Sequence, residues 1–226
     1  MRAPSLLAVL LALVPTFPAC ATSRSDVSTT AIVAIPPTSG DGTGKSDDGK
    51  PFDNDVSALV GHAAPSWTVD TWLNSPPLAV EDLRGSVVLV RWFMGTSCPM
   101  CSATAPSLNA LHEKYGARGL TVIGMYHHKD DDPLTPELVR GYVDHFGFRF
   151  PVAIDRDWRT LKRYWMDGHE YRKFTSVTFL IDKEGLIRHV HLGGRLAPRD
   201  AAFKAIDGYV EALLAEAPKG RVRGRD

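Results

Sequence analysis

Cysteine is scarce in this 226-residue chain, with three in all. A disulfide-stapled scaffold is therefore excluded. Only one pair, Cys98 and Cys101, has the C-x-x-C spacing, and no second such pair exists to complete a four-cysteine zinc site. Net charge is also missing: 26 basic residues balance 26 acidic ones. That balance gives no reason to expect a nucleic acid or an anionic surface as partner. No internal repeat is visible. The longest N-terminal apolar run, Leu6 to Val14, has nine residues, too short to span a bilayer.

What is present is a 44% hydrophobic composition, enough for one domain with a real core plus appendages. Its chemical centre is Cys98-Pro99-Met100-Cys101. Before it, Val87 to Val90 is apolar and β-branched and reads as a buried strand. After it, Ala103, Leu108, Ala110 and Leu111 recur at helical spacing. The first cysteine thus falls where a strand turns into a helix. Free N–H groups and the macrodipole there favour a thiolate, the reactive form. Cys101, one turn on, lies on the same side and is placed to attack a mixed disulfide on Cys98. Pro99 suits the first helical position because it has no N–H to leave unpaired.

The surrounding segments resemble the thioredoxin-like superfamily in its extracytoplasmic TlpA/redoxin branch. Gly61-His62-Ala63-Ala64-Pro65-Ser66-Trp67 resembles the branch's Gly-x-x-Ala-Pro-x-Phe opening motif. Leu83 to Ser86, Pro106, Gly119 to Gly124 and Phe179 to Gly185 match further signatures over about residues 59–195. The resemblance implies an α/β fold: a three-layer thioredoxin-like arrangement of a mixed central sheet flanked by helices, with a redoxin-type N-terminal extension and a central insertion. It implies thiol–disulfide exchange with protein substrates, in the reducing direction, with an upstream thiol protein as electron donor. No bound cofactor, metal or nucleic acid is expected. Three positions depart from the pattern. Ser97 replaces the usual Trp before the first cysteine, Ser176 stands where a cis-proline is usual, and Thr104 replaces the Glu that some relatives carry. Ser97, Pro99, Met100 and Ser176 make up the expected active-site loop, and the Thr175–Ser176 bond is expected to be trans, or strained if cis.

Two other readings compete. A peroxiredoxin would need a Thr three residues before its cysteine, where this chain has Gly95. A non-catalytic copper-binding module would recruit the histidines: His127 and His128 end a strand, and His189 and His191 alternate on another. His127 or His128 is also a candidate proton shuttle.

Residues 1–21 read as an export signal. Phe17-Pro18-Ala19-Cys20 resembles a lipobox that would make Cys20 a lipidated N-terminus; cleavage after Ala21 is the alternative. The expected location is therefore outside the cytoplasm, in a bacterial periplasm or envelope, with membrane contact only through that anchor. Residues 22–55 carry six acids against three bases and read as a disordered tether, on the order of 30 Å long. The domain is expected over 56–217, with a basic tail over 218–226.

Within the domain, short strands are expected around 67–69 and 77–80. Further strands are expected over 87–92, 120–126, 150–154, 178–181 and 186–191. Helices are expected after Cys101 to about Tyr115, after an N-cap at Thr135, from a cap at Asp157 through Trp165, and from Pro198 to about Leu214. Trp67 and Trp72 are read as core or cap residues.

Overall fold

The computed structural model describes residues 53–217, except 170, 173 and 194. The signal segment, Cys20, the tether to residue 52 and the basic tail lie outside the described residues. Val87-Val88-Leu89-Val90-Arg91-Trp92-Phe93 forms strand β2, buried at every position on both faces. It lies inside a six-stranded mixed sheet of order β1-β4-β3-β2-β5-β6. Here β1 is Trp72–Leu73, β3 Leu120–Tyr126, β4 Val152–Ile154, β5 Thr178–Ile181 and β6 Ile187–His191. Strand β2 runs parallel to β3 and antiparallel to β5.

The period-2 alternation of these strands divides the core in two. Leu89 and Phe93 face helices α1 (Pro99–Tyr115), α2 (Pro136–Phe146) and α4 (Ala201–Ala215), meeting Leu108, Val143 and Ile206. Val88, Val90 and Trp92 face the other way, toward Leu161, Tyr164 and Trp165. Those three come from the short helix α3 (Arg159–Leu161) and the π-helical turn Lys162–Met166 that continues it. Trp92, Tyr164 and Phe179 pack with ring centroids 5.1–5.7 Å apart, so aromatic contact adds to the burial.

Helix α2 starts and stops where its sequence signals. Thr135 Oγ1 accepts the Leu138 amide at 3.1 Å, and Pro136 fills the first turn. Gly147, at φ 66°, closes it with its N–H on the carbonyls of Asp144 and Val143.

Three expectations change. Residues 67–69 form no strand, because the Thr68 amide is taken by Thr160 Oγ1 at 3.0 Å. Prolines 76 and 77 lack the amides a ladder needs, and Val80–Leu83 is a 3-10 turn. The edge strand is instead Trp72–Leu73, antiparallel to β4. Asp157 does not cap α3. Trp158 turns the chain at φ 59°, and the buried Asp155 accepts the amides of Thr160 at 3.0 Å and Leu161 at 2.7 Å. Its Oδ2 also accepts the Trp92 indole N–H at 3.1 Å. Finally, residues 53–55, assigned by composition to the tether, bond to the domain. Asp53 Oδ2 lies 2.6 Å from His169 Nδ1 and 3.4 Å from Arg172 Nε, and Arg172 donates to the Asp55 carbonyl at 2.7 Å. Trp67 and Trp72 are both partly buried, with ring centroids 5.7 Å apart, and the Trp67 indole donates to Tyr164 Oη at 2.9 Å.

Candidate active site

Cys98 is the N-cap of α1, and its sulfur accepts the Cys101 amide at 3.2 Å. Pro99 occupies the first helical turn. Cys98 is half-buried and Cys101 is buried; both are free, with their sulfurs 2.6 Å apart. The hydrogen bond from the Cys101 thiol lowers Cys98 most; the amides of Cys101 and Met100 and the charge of Arg91 add to this against burial, bringing it to about 6. Cys101 moves the opposite way. Its bond to Cys98 and its burial both hold its proton on, although the Met94 amide points at its sulfur from 3.4 Å. The geometry therefore separates one half-buried, readily ionised sulfur from one buried, protonated sulfur.

The loop before Cys98 is braced from a distance. Ser97 Oγ donates to Asp130 Oδ1 at 3.0 Å, and Tyr142 Oη on α2 donates to the other oxygen at 3.4 Å. The Tyr142 ring covers Gly95 so closely that a Cβ there would sit 2.6 Å from it. Sequence reading missed this brace, since it joins residues 33 positions apart. Met100, by contrast, is 42% exposed beside Cys98.

Ser176 lies under the pair, with Oγ 3.8 Å from Cys101 Sγ. Its segment is pinned by Trp92 N donating to the Val177 carbonyl at 3.0 Å. No peptide bond among the described residues is cis. The resemblance implies that a proline here would shield the cysteines from soft metal ions, and Ser176 offers a hydroxyl in its place. Ser176→Pro is expected to weaken Cu⁺ or Zn²⁺ binding by the reduced protein roughly tenfold, while disulfide reduction is kept or raised. Metal titrations of both proteins check this, and equal affinities would remove the shielding role.

The histidines lie elsewhere. His127 is fully buried, edge-on to Trp158, and burial lowers it to about 3. His128 bonds Tyr126 Oη at 2.8 Å and the Asp132 carbonyl at 2.6 Å. Among the described residues neither ring bonds a sulfur, which leaves the shuttle role without a contact. His189 stacks on Tyr209. Among the described residues no three His, Cys, Asp or Glu side chains are grouped to hold a metal ion. Thr104, where some relatives carry Glu, donates to the Met100 carbonyl at 2.8 Å and accepts the Leu196 amide at 3.1 Å, so it seals α1 to the segment before α4.

The chain's likeness to known proteins agrees with this arrangement. Residues 60–190 match the AhpC/TSA family. The thiol-disulfide oxidoreductase ResA of Bacillus thuringiensis (strain Al Hakam) is 28% identical over 154 residues, 68% of this chain and 78% of that protein. Protein DipZ of Mycobacterium bovis is 28% identical over 152 residues, 66% of this chain but 20% of DipZ. Among solved structures, a thiol-disulfide isomerase from Corynebacterium glutamicum is 31% identical and covers 68% of this chain and 98% of its own, with a TM-score of 0.53. The chain belongs to the AhpC/TSA family, and its fold and paired cysteines make it a thioredoxin-like oxidoreductase of the redoxin type.

Proposed function

We propose that the protein exchanges thiols and disulfides with protein substrates outside the cytoplasm, working as a reductant through Cys98 and Cys101. The observation that carries this reading is the asymmetry of the pair. The Cys98 sulfur is half-buried, takes hydrogen bonds from the Cys101 amide and thiol, and ionises at about 6. Its thiolate attacks one sulfur of a substrate disulfide, forming a mixed disulfide and releasing a thiolate that takes up a proton. Cys101 then loses its proton and attacks the Cys98 sulfur. The second substrate thiol leaves, and the enzyme holds the disulfide. Two electrons have moved to the substrate, and an upstream thiol protein restores the dithiol. Exposed Met100 and Pro99 form the rim against which the substrate chain lies. The reducing direction follows the resemblance to the TlpA/redoxin branch, and the location follows that resemblance together with the export signal expected over residues 1–21. A reduction potential for the pair, taken with a protein-disulfide reduction assay, tests the reading; a pair that equilibrates with glutathione but leaves protein disulfides intact would overturn it. The peroxide reading gains no support from Gly95, which offers no hydroxyl and is capped by Tyr142.

Membrane attachment is proposed through Cys20 alone, and no helix among the described residues is long and apolar enough to cross a membrane. Full-length protein expressed in a lipoprotein-processing host is expected to enter the detergent phase, and Cys20→Ala to leave it, with redox activity unchanged. Equal partitioning of the two would reject the anchor.

A further inference from the structure

One buried polar row interrupts the face of the sheet under α1 and α4. Arg91 on β2 is in register with Thr178 on β5, and Thr178 with His191 on β6. Their neighbours on that face, Leu89 and Leu180, belong to the apolar core with Leu108 and Ile206. Arg91 is completely buried. Its Nη1 donates to Thr178 Oγ1 at 3.0 Å and to the Gly193 carbonyl at 3.4 Å. Ser176, two residues before Thr178 and on the same face, approaches Cys101 Sγ to 3.8 Å. Met94, three residues beyond Arg91, directs its amide at the same sulfur from 3.4 Å. Thus the segments that hold the guanidinium, 91–94 and 176–178, are the ones that hold the buried sulfur, and strand pairing locks them together.

A cation in such a core is expensive unless negative charge answers it. Burial lowers Arg91 to about 10, still charged at neutral pH, while the nearby sulfurs, above all the ionised Cys98, favour its charged form. The other titratable groups that Arg91 or the sulfurs act on are histidines and a lysine. His191 and His127 are held neutral by burial, with the charge of Arg91 pushing the same way. Lys129, after β3, is a second cation that acts on both sulfurs. Asp130 is engaged with Ser97 and Tyr142 at the rim.

We propose that Arg91 is the built-in countercharge of the redox pair, a positioning residue that stabilises the reduced centre as a thiolate and so raises its reduction potential. The proposal rests on the thiol–disulfide reading above. In the disulfide form neither sulfur is charged, and the attraction to the guanidinium is lost. Reduction then takes two electrons and, above the titration of Cys98, one proton, giving one thiolate and one thiol. A pair poised this way holds its electrons more tightly than one without the cation. Its substrates are therefore disulfides of high potential, the strained or exposed ones, and its donor need only be a dithiol of lower potential than the pair.

The test uses Arg91→Met, which keeps an unbranched stem without charge, and Arg91→Lys, which keeps charge. The full-length proteins are titrated by thiolate absorbance and equilibrated with glutathione. Arg91→Met is expected to raise the Cys98 midpoint by at least about one unit. It should also favour the disulfide about tenfold, or about 30 mV toward more reducing potential; Arg91→Lys should recover part of both shifts. A folded Arg91→Met with the wild-type titration and equilibrium would overturn the proposal. If that variant does not fold, Thr178→Val loosens the guanidinium and should move both readings the same way by less; unchanged readings there overturn it too. Either failure leaves the exchange reading standing, because protein-disulfide reduction by the wild type is measured separately.

Discussion

Cys98→Ser is expected to lower protein-disulfide reduction by at least about three orders of magnitude, since a serine hydroxyl is neither ionised nor able to form the mixed disulfide. Cys101→Ser should be nearly as inactive in turnover for a different reason: Cys98 still attacks, but nothing releases it. Wild-type rates should depend on pH through the Cys98 thiolate. The sign follows from its depressed pKa of about 6. The deprotonated form reacts, so the rate is full above pH 7 and falls as pH drops through 6. A profile with its midpoint near the ordinary thiol value of about 8.5 would show that the helix N-terminus and the Cys101 thiol do not stabilise the thiolate. Single-turnover rates against a model disulfide across pH 4–9 measure it.

The second large effect falls on stability. Asp155, 1% exposed, accepts three hydrogen bonds, from the amides of Thr160 and Leu161 and from the Trp92 indole. Asp155→Ala removes a helix cap, worth ~1 kcal/mol. It also leaves a buried indole N–H without an acceptor, at ~1–3 kcal/mol. The sum, about 3 kcal/mol, corresponds to a fall of about 10 °C in melting temperature for a domain of this size. Asp155→Asn keeps one acceptor and should lie between. A melting temperature within 2 °C of wild type, read by thermal unfolding, would mean that another group supports Trp92.

These two predictions differ in how readable they were beforehand. The strand before the cysteines announced itself through four consecutive apolar, mostly β-branched residues, and its interior place in the sheet follows from being buried on both faces. The helix after Cys98 was legible for the same local reasons: apolar spacing and a proline in the first turn. Asp155 was not legible, because its donors come from Trp92, 63 residues away, and from amides freed only when Trp158 takes a left-handed conformation. Asp157 sits one residue before that turn and looked the better cap. Strands expected near 67–69 and 77–80 failed likewise, since the amide of Thr68 answers to a side chain 92 residues on. The active site divides in the same way. The cysteine spacing is local and carried the chemistry, whereas the Ser97–Asp130–Tyr142 brace and the seat of Arg91 on Thr178 depend on tertiary contact. One local signal for Arg91 did exist: it is the sole charged residue within the apolar run Val87 to Phe93. A charge in a doubly buried strand calls for a partner.

If Cys98 attacks and Cys101 resolves, the mixed disulfide can be trapped on Cys98 alone. Reduced Cys101→Ser protein, mixed with a disulfide-bearing protein at pH 7, should accumulate a mixed disulfide that maps to Cys98 by peptide mass analysis. Cys98→Ser under the same conditions should trap little, because its remaining sulfur is buried and protonated. A mixed disulfide that forms readily on Cys101 in Cys98→Ser, with none on Cys98 in Cys101→Ser, would reverse the roles of the two sulfurs.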